Sequence, residues 1–161
     1  MKMEIMNMNS ARTRGMRLSG IAALLLLGLS AFGQQRRVMH QTYDLNGITS
    51  VLFDIKDNYE VELWAGTALL IETTVEMWEI NAKGKVDAPE SIFKHFVDKG
   101  RYQTAGALLN GNQLRVQSKD MQRAAIRTKT GECSEEVLVK IMLPDSFQKT
   151  GDHTWMRSGK E

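Results

Sequence analysis

His40, His95 and His153 are the only histidines in the chain, and any one of them beside a carboxylate would suffice for general acid–base work. No two of them stand at i,i+3 or i,i+4 spacing, so a zinc centre would have to gather its ligands from distant elements. A small secreted hydrolase or metal-dependent enzyme using one of these histidines and an acidic residue is therefore the enzymatic reading the residues admit. Cys133 is the single cysteine, which excludes an internal disulfide and leaves a free thiol. Glu132, Glu135 and Glu136 crowd it, and negative neighbours raise a thiol's pKa and blunt its reactivity. Gly131-Glu132-Cys133 reads instead as the turn of a hairpin.

Asp54, Glu60, Glu62, Glu72, Glu76 and Glu79 form an acidic row with the spacing of an outward strand face. Calcium needs several oxygens converging in one tight loop, of the Asp-x-Asp-x-Asp-Gly kind, and the sequence has none, so the row reads as a solvated surface. Trp64 and Trp78 fall on the same parity as Leu52 and Leu70. Aromatics on an otherwise wet face point to a contact patch for a sugar or a protein. The competing reading has a helix covering that side as a second core layer, and it is slightly preferred. Nucleophile elbows, Gly-rich phosphate loops, paired-Cys motifs and His-Glu zinc helices are all missing from the sequence. No catalytic, cofactor-binding or metal-binding residue is assigned, and no cofactor is expected.

The elements that position these residues follow from periodicity. Val51, Phe53, Ile55, Tyr59, Val61, Leu63, Leu69, Ile71, Val75 and Met77 are all odd, whereas the acids are mostly even. A period of two places one apolar and one wet face on a pleated strand. Strands are predicted at Gln41–Leu45, Ser50–Ile55, Tyr59–Trp64 and Ala68–Ile80. The period then changes: Asp87-Ala88-Pro89-Glu90 predicts a helix start with Asp87 as N-cap, and Gly100 its end. Ile92, Phe93, Phe96 and Val97 share one face of this helix, at about 88–99. Asn110-Gly111 predicts a hairpin, and Pro144 ends a last strong strand at Ser134–Leu143.

Residues 1–33 read as an export signal. Arg12, Arg14 and Arg17 precede the apolar run Ile21–Phe32, and Ala31 and Gly33 put small residues at −3 and −1 of a cut between Gly33 and Gln34. Twelve apolar residues fall short of the ~20 a spanning helix needs, so a cleaved signal helix is favoured over a retained anchor. Met16 would begin a more compact signal than Met1 and is the expected start. The leader holds four basic residues and one acidic, so of 21 basic and 19 acidic side chains 17 and 18 remain in the body. A body so near neutrality makes nucleic acid a poor partner. The organisation expected is a leader at 1–33, one β-rich domain at 34–147 and a polar tail at 148–161.

Phe32-Gly33-Gln34 at the end of the leader, Val51-Leu52-Phe53-Asp54-Ile55, and Tyr59-Glu60-Val61-Glu62-Leu63 carry a resemblance. They look similar to small exported β-proteins of Bacteroidetes-type bacteria and to the opening strands of auto-transporter adhesin head (GIN-type) domains. Gly100-Arg101-Tyr102, Gly131-Glu132-Cys133 and Leu143-Pro144-Asp145 extend the likeness over about residues 43–147. The chain departs from that pattern in its helix at Pro89–Lys99 and in lacking repeated Gly/Asp/Ser-rich rungs. The resemblance implies an envelope location and transfers no catalytic residue. The fold expected is mainly β, an antiparallel sandwich or short β-solenoid-like sheet with one packed helix. The function expected is a non-catalytic binding or scaffolding module, periplasmic or extracellular, whose partner is a protein or glycan of the envelope. It would meet a membrane only through an uncleaved leader.

Overall fold

The alternation along the chain resolves, in a computed structural model describing residues 35–159 and the backbone of residues 25–27, into strands with one helix between them. In order these are β1 (Leu25–Leu27), β2 (Gln35–Tyr43), β3 (Ser50–Asp54), β4 (Tyr59–Trp64), β5 (Leu69–Asn81) and β6 (Gly84–Asp87), then helix α1 (Glu90–Asp98). After it come β7 (Thr104–Leu109), β8 (Gln113–Ser118), β9 (Ile126–Arg127), β10 (Gly131–Pro144), β11 (Phe147–Lys149) and β12 (Thr154–Arg157). The mainly β class with one packed helix is as the periodicity implies. The leader and its Gly33/Gln34 cut lie outside the described residues, apart from the backbone of Leu25–Leu27, which runs antiparallel to β2 with Leu26 opposite Met39.

Two sheets form. The first has the order β1-β2-β5-β10-β4, with β6 beside β5 and β9 beside β10; the second has the order β11-β12-β3-β8-β7. Two pairings depart from a purely antiparallel arrangement: β4 with β10 and β3 with β8 are parallel. Both join strands far apart in sequence, where no tight hairpin dictates direction.

The odd residues of β5 form the spine of the core: Leu69, Ile71, Val75 and Met77 are at most 1% exposed. The second sheet covers one half of this face, where Val51, Phe53, Val116, Ile141, Leu143 and Phe147 close around Leu69 and Ile71. Helix α1 covers the other half, packing Phe93 and Val97 against Met39, Val75, Met77 and Cys133. The helix thus continues the second sheet's layer on the odd face. The preferred reading, in which it covered the even face bearing Trp64 and Trp78, is overturned, because Ile92, Phe93 and Val97 find their apolar partners on the odd side.

The helix begins at Pro89 without any side-chain cap. Asp87, expected as the N-cap, is instead the last residue of β6 and lies opposite Trp78. The C-terminus ends as expected. Gly100 adopts φ 75° and donates to the Val97 carbonyl at 3.0 Å, while Arg101 N–H donates to the Phe96 carbonyl at 3.2 Å, the pair of bonds that closes a Schellman motif.

Phe147 and the residues from Gln148 to Arg157, the latter assigned to a polar tail, form the β11–β12 hairpin, whose second strand pairs with β3. Arg157 secures it by donating to the carbonyls of Leu45 and Ile48 at 2.9 and 3.0 Å, with its guanidinium 4.8 Å from the Phe147 ring centroid.

Candidate functional site

The four residues expected to share a contact patch are dispersed. Leu52 lies in the second sheet, opposite Arg115 and Thr154. Leu70 pairs with Met142 and Thr42 near the Trp64 end of the first sheet, while Trp78 is eight residues along β5, ~26 Å away at the usual rise of a strand. Each tryptophan is also occupied locally. Trp64 folds over its own turn, donating from Nε1 to the Ala68 carbonyl at 3.1 Å. A Cβ on Gly66 would meet its ring at 2.0 Å, so only glycine fits beneath it. Trp78 carries the Lys85 ammonium 4.1 Å above its ring.

The acidic row divides likewise. Glu60, Glu62, Glu72 and Glu76 do lie on the even face of the first sheet, where Lys140 pairs with Glu62 at 2.9 Å and Arg36 with Glu76 at 3.7 Å. Asp54 sits in the second sheet, ion-paired with Arg115. Glu79 faces inward, 2% exposed, and accepts from Thr130 at 2.6 Å, Thr128 at 3.0 Å and Asn81 at 3.2 Å. Those donors, Thr130 foremost, hold its carboxyl below the ordinary value.

Cys133 is not in a turn. It lies on β10 opposite Ile126 and Glu79, and is 6% exposed. The turn falls three residues earlier because Thr128 N–H donates to the Gly131 carbonyl at 2.8 Å while the Thr128 hydroxyl accepts from Gly131 N–H at 2.9 Å. Burial first, then Glu79 and Glu135, push the thiol's pKa up, which leaves it a weak nucleophile. The histidines stand on three different elements. His40 is on β2 beside Glu72 (3.8 Å), His95 is exposed on α1, and His153 is in the β11–β12 turn. No group of three or more metal-ligating side chains occurs among the described residues.

A network absent from the sequence reading lies where the helix exit meets β10. Arg101, with its side chain 7% exposed, makes a two-pronged bond to Glu135, Nε to Oε2 at 3.0 Å and Nη2 to Oε1 at 2.9 Å. Tyr102 donates to the same carboxylate at 2.6 Å. Burial pushes the Glu135 pKa up, but the bonds from Arg101 and Tyr102 outweigh it and the net direction is down. Burial and the Glu135 charge drive the Tyr102 phenol far above its ordinary range. Arg123 extends the chain: it donates to the Arg101 carbonyl at 3.3 Å and grips Asp57 with bonds of 2.7 and 2.5 Å.

Asp57 belongs to the β3–β4 turn, so this network fixes one rim of a cleft. The same turn is held by Lys56 N–H donating to Ser118 Oγ at 3.0 Å and Lys56 Nζ donating to the Met121 carbonyl at 3.1 Å. The cleft has a volume of about 600 Å³ and opens at the mouth of the sandwich, between edge strand β4 and the β11–β12 hairpin. Its floor is the margin of the core: Ile55, Tyr59, Val61 and Trp155 are partly buried and pack on the main cluster. Lys56, Asp57, Asn58, Lys149, Asp152 and His153 line its upper walls. The two rims meet where the Tyr59 hydroxyl and His153 Nδ1 share a hydrogen bond of 2.7 Å. Among the described residues this is where aromatic faces, mixed charges and a concave surface coincide. Two signals in the sequence bore on it: Thr154-Trp155-Met156 as an apolar break in a polar stretch, and Glu135 at an inward-facing position. Comparison with protein-family models, with curated proteins and with solved structures gives no match.

Proposed function

We propose that this chain is a non-catalytic binding module of the bacterial envelope, exported by its leader and engaging its partner at the sandwich mouth. The mouth carries the reading. An apolar, aromatic floor under convergent polar groups is the usual build of a small-ligand site, and about 600 Å³ lies inside the ~300–1,000 Å³ such sites occupy. The rims are turns on a rigid scaffold, the arrangement by which loops carry recognition. Export is supported by the charge-then-apolar pattern of residues 1–33 and by the resemblance to exported β-proteins. The outer face of the first sheet is the weaker candidate for contact, because its charges are largely paired with one another and its two tryptophans are taken up locally.

Fractionation of producing cells, with intact mass in each fraction, tests the first half of this reading. A soluble extracytoplasmic species beginning at Gln34 is expected; full-length protein confined to the cytoplasm would overturn it. Sedimentation of the purified protein with envelope material tests the second half. Tyr59→Ser is expected to lower the bound fraction while Trp64→Phe and Trp78→Phe leave it unchanged, and the reverse pattern would move the binding surface to the first sheet.

A further inference from the structure

Resting on the reading of the mouth as a binding site, we infer that its ligand is a saccharide. Tyr59 and Trp155 offer aromatic surface at the floor of the cleft, flanked by the aliphatic Ile55 and Val61. One side of a pyranose ring is a patch of C–H groups. It loses little on leaving water for an aromatic or aliphatic surface, and its weakly positive hydrogens are attracted to the negative face of a π-system.

The rim argues in the same direction. Hydroxyls both donate and accept, so a polyol is best matched by a wall that offers both. Lys56 and Lys149 donate, Asp57 and Asp152 accept, and the Asn58 amide does both. Arg123 already offsets Asp57, so Lys56 and Lys149 face one free carboxylate, Asp152, and the wall keeps a single positive charge in excess beside its mixed donors and acceptors. The polar groups that remain free, Asn58, Lys149 and Asp152, are exposed and stand on both sides of the floor, and His153, bonded to Tyr59 through Nδ1, is exposed beside them. Peptides are matched less well. Extending β4 by strand addition would use its backbone edge and place Glu60 and Glu62 beside the newcomer, and it would leave the aromatic floor unused.

The test is a titration of the purified protein, watched by two-dimensional nuclear magnetic resonance. Cellotetraose, mannotetraose and chitotetraose serve as probes, and a matched set of tetrapeptides serves as comparison, each to millimolar concentration. The Trp155 indole signal is assigned with Trp155→Phe. At least one saccharide is expected to shift the Trp155 indole and the His153 ring. Asp152→Asn and Asn58→Ala, both on exposed rim positions, should each weaken that binding about tenfold, the cost of one hydrogen bond to a strongly polar partner. Peptides that shift these signals when saccharides do not would overturn the saccharide while leaving the binding module standing. Silence at Trp155 and His153 with every probe, together with envelope sedimentation that Tyr59→Ser does not alter, would overturn both.

Discussion

Arg101 and Glu135 are mutually dependent. Removing one leaves the other as an unpaired charge in a poorly solvated place, and that penalty exceeds the worth of the pair itself. Arg101→Met should therefore destabilise the protein by about 3 kcal/mol, read as a fall in the urea midpoint at unchanged slope. Glu135 and Glu79 are both held below the ordinary carboxyl value. A depressed folded pKa gives stability that is fully present above the unfolded value, about 4.3, and is lost as pH falls through the folded ones. Stability should thus decline below about pH 4, and Glu79→Gln should flatten that acid limb. At the other extreme, burial raises all three tyrosines, Tyr43, Tyr59 and Tyr102. Near-ultraviolet titration should accordingly show little phenolate at pH ~10, where free tyrosine is half ionised, until the fold opens. These groups were half-legible in the sequence. Glu79 and Glu135 share the parity of Met77 and Val137, and an acid at an inward position demands donors; which donors answer it depends on Thr128, Thr130, Arg101 and Tyr102, brought in from other elements.

Two glycines separate conformational from steric demand at the scale of the elements. Gly111 has φ 82° in the β7–β8 turn with open space around it. Gly111→Ala should cost about 1 kcal/mol, the strain of a left-handed L-residue. At Gly131 a Cβ would lie 2.1 Å from the Ile80 carbonyl oxygen, backbone that cannot swing aside. Gly131→Ala should cost more, about 2–3 kcal/mol, and loosen the β5–β10 ladder where it starts. Thermal unfolding of the two variants compares them directly. Elements with strong local patterns were legible: the 51–77 alternation, the apolar stripe of α1, and Gly100 and Pro144 as stops. Partnerships were not. Alternation states which face is buried but is silent on which strand lies alongside, so the parallel β4–β10 and β3–β8 pairs had no signature. The β11–β12 hairpin was hidden because its short strands mix apolar and polar residues, and Arg157 anchors it by reaching the Leu45 and Ile48 carbonyls.

For the molecule as a whole, β5 and β10 are long enough to need two covers, and the second sheet and α1 divide the task. The Glu135–Arg101–Arg123–Asp57 chain crosses the junction between those covers and ends at the rim of the mouth. Structural charge and recognition are thereby linked, since the network that seals the junction also holds the β3–β4 turn over Tyr59. Trp155 was legible only as an apolar break in a polar stretch, because its role depends on a hairpin folding back against β3. The most direct test is peptide-resolved hydrogen exchange of the purified protein, with and without envelope material from the producing cells. Protection confined to residues 55–61 and 149–155 is the predicted result. Protection centred on β2 and the even face of β5, with the mouth unchanged, would contradict it.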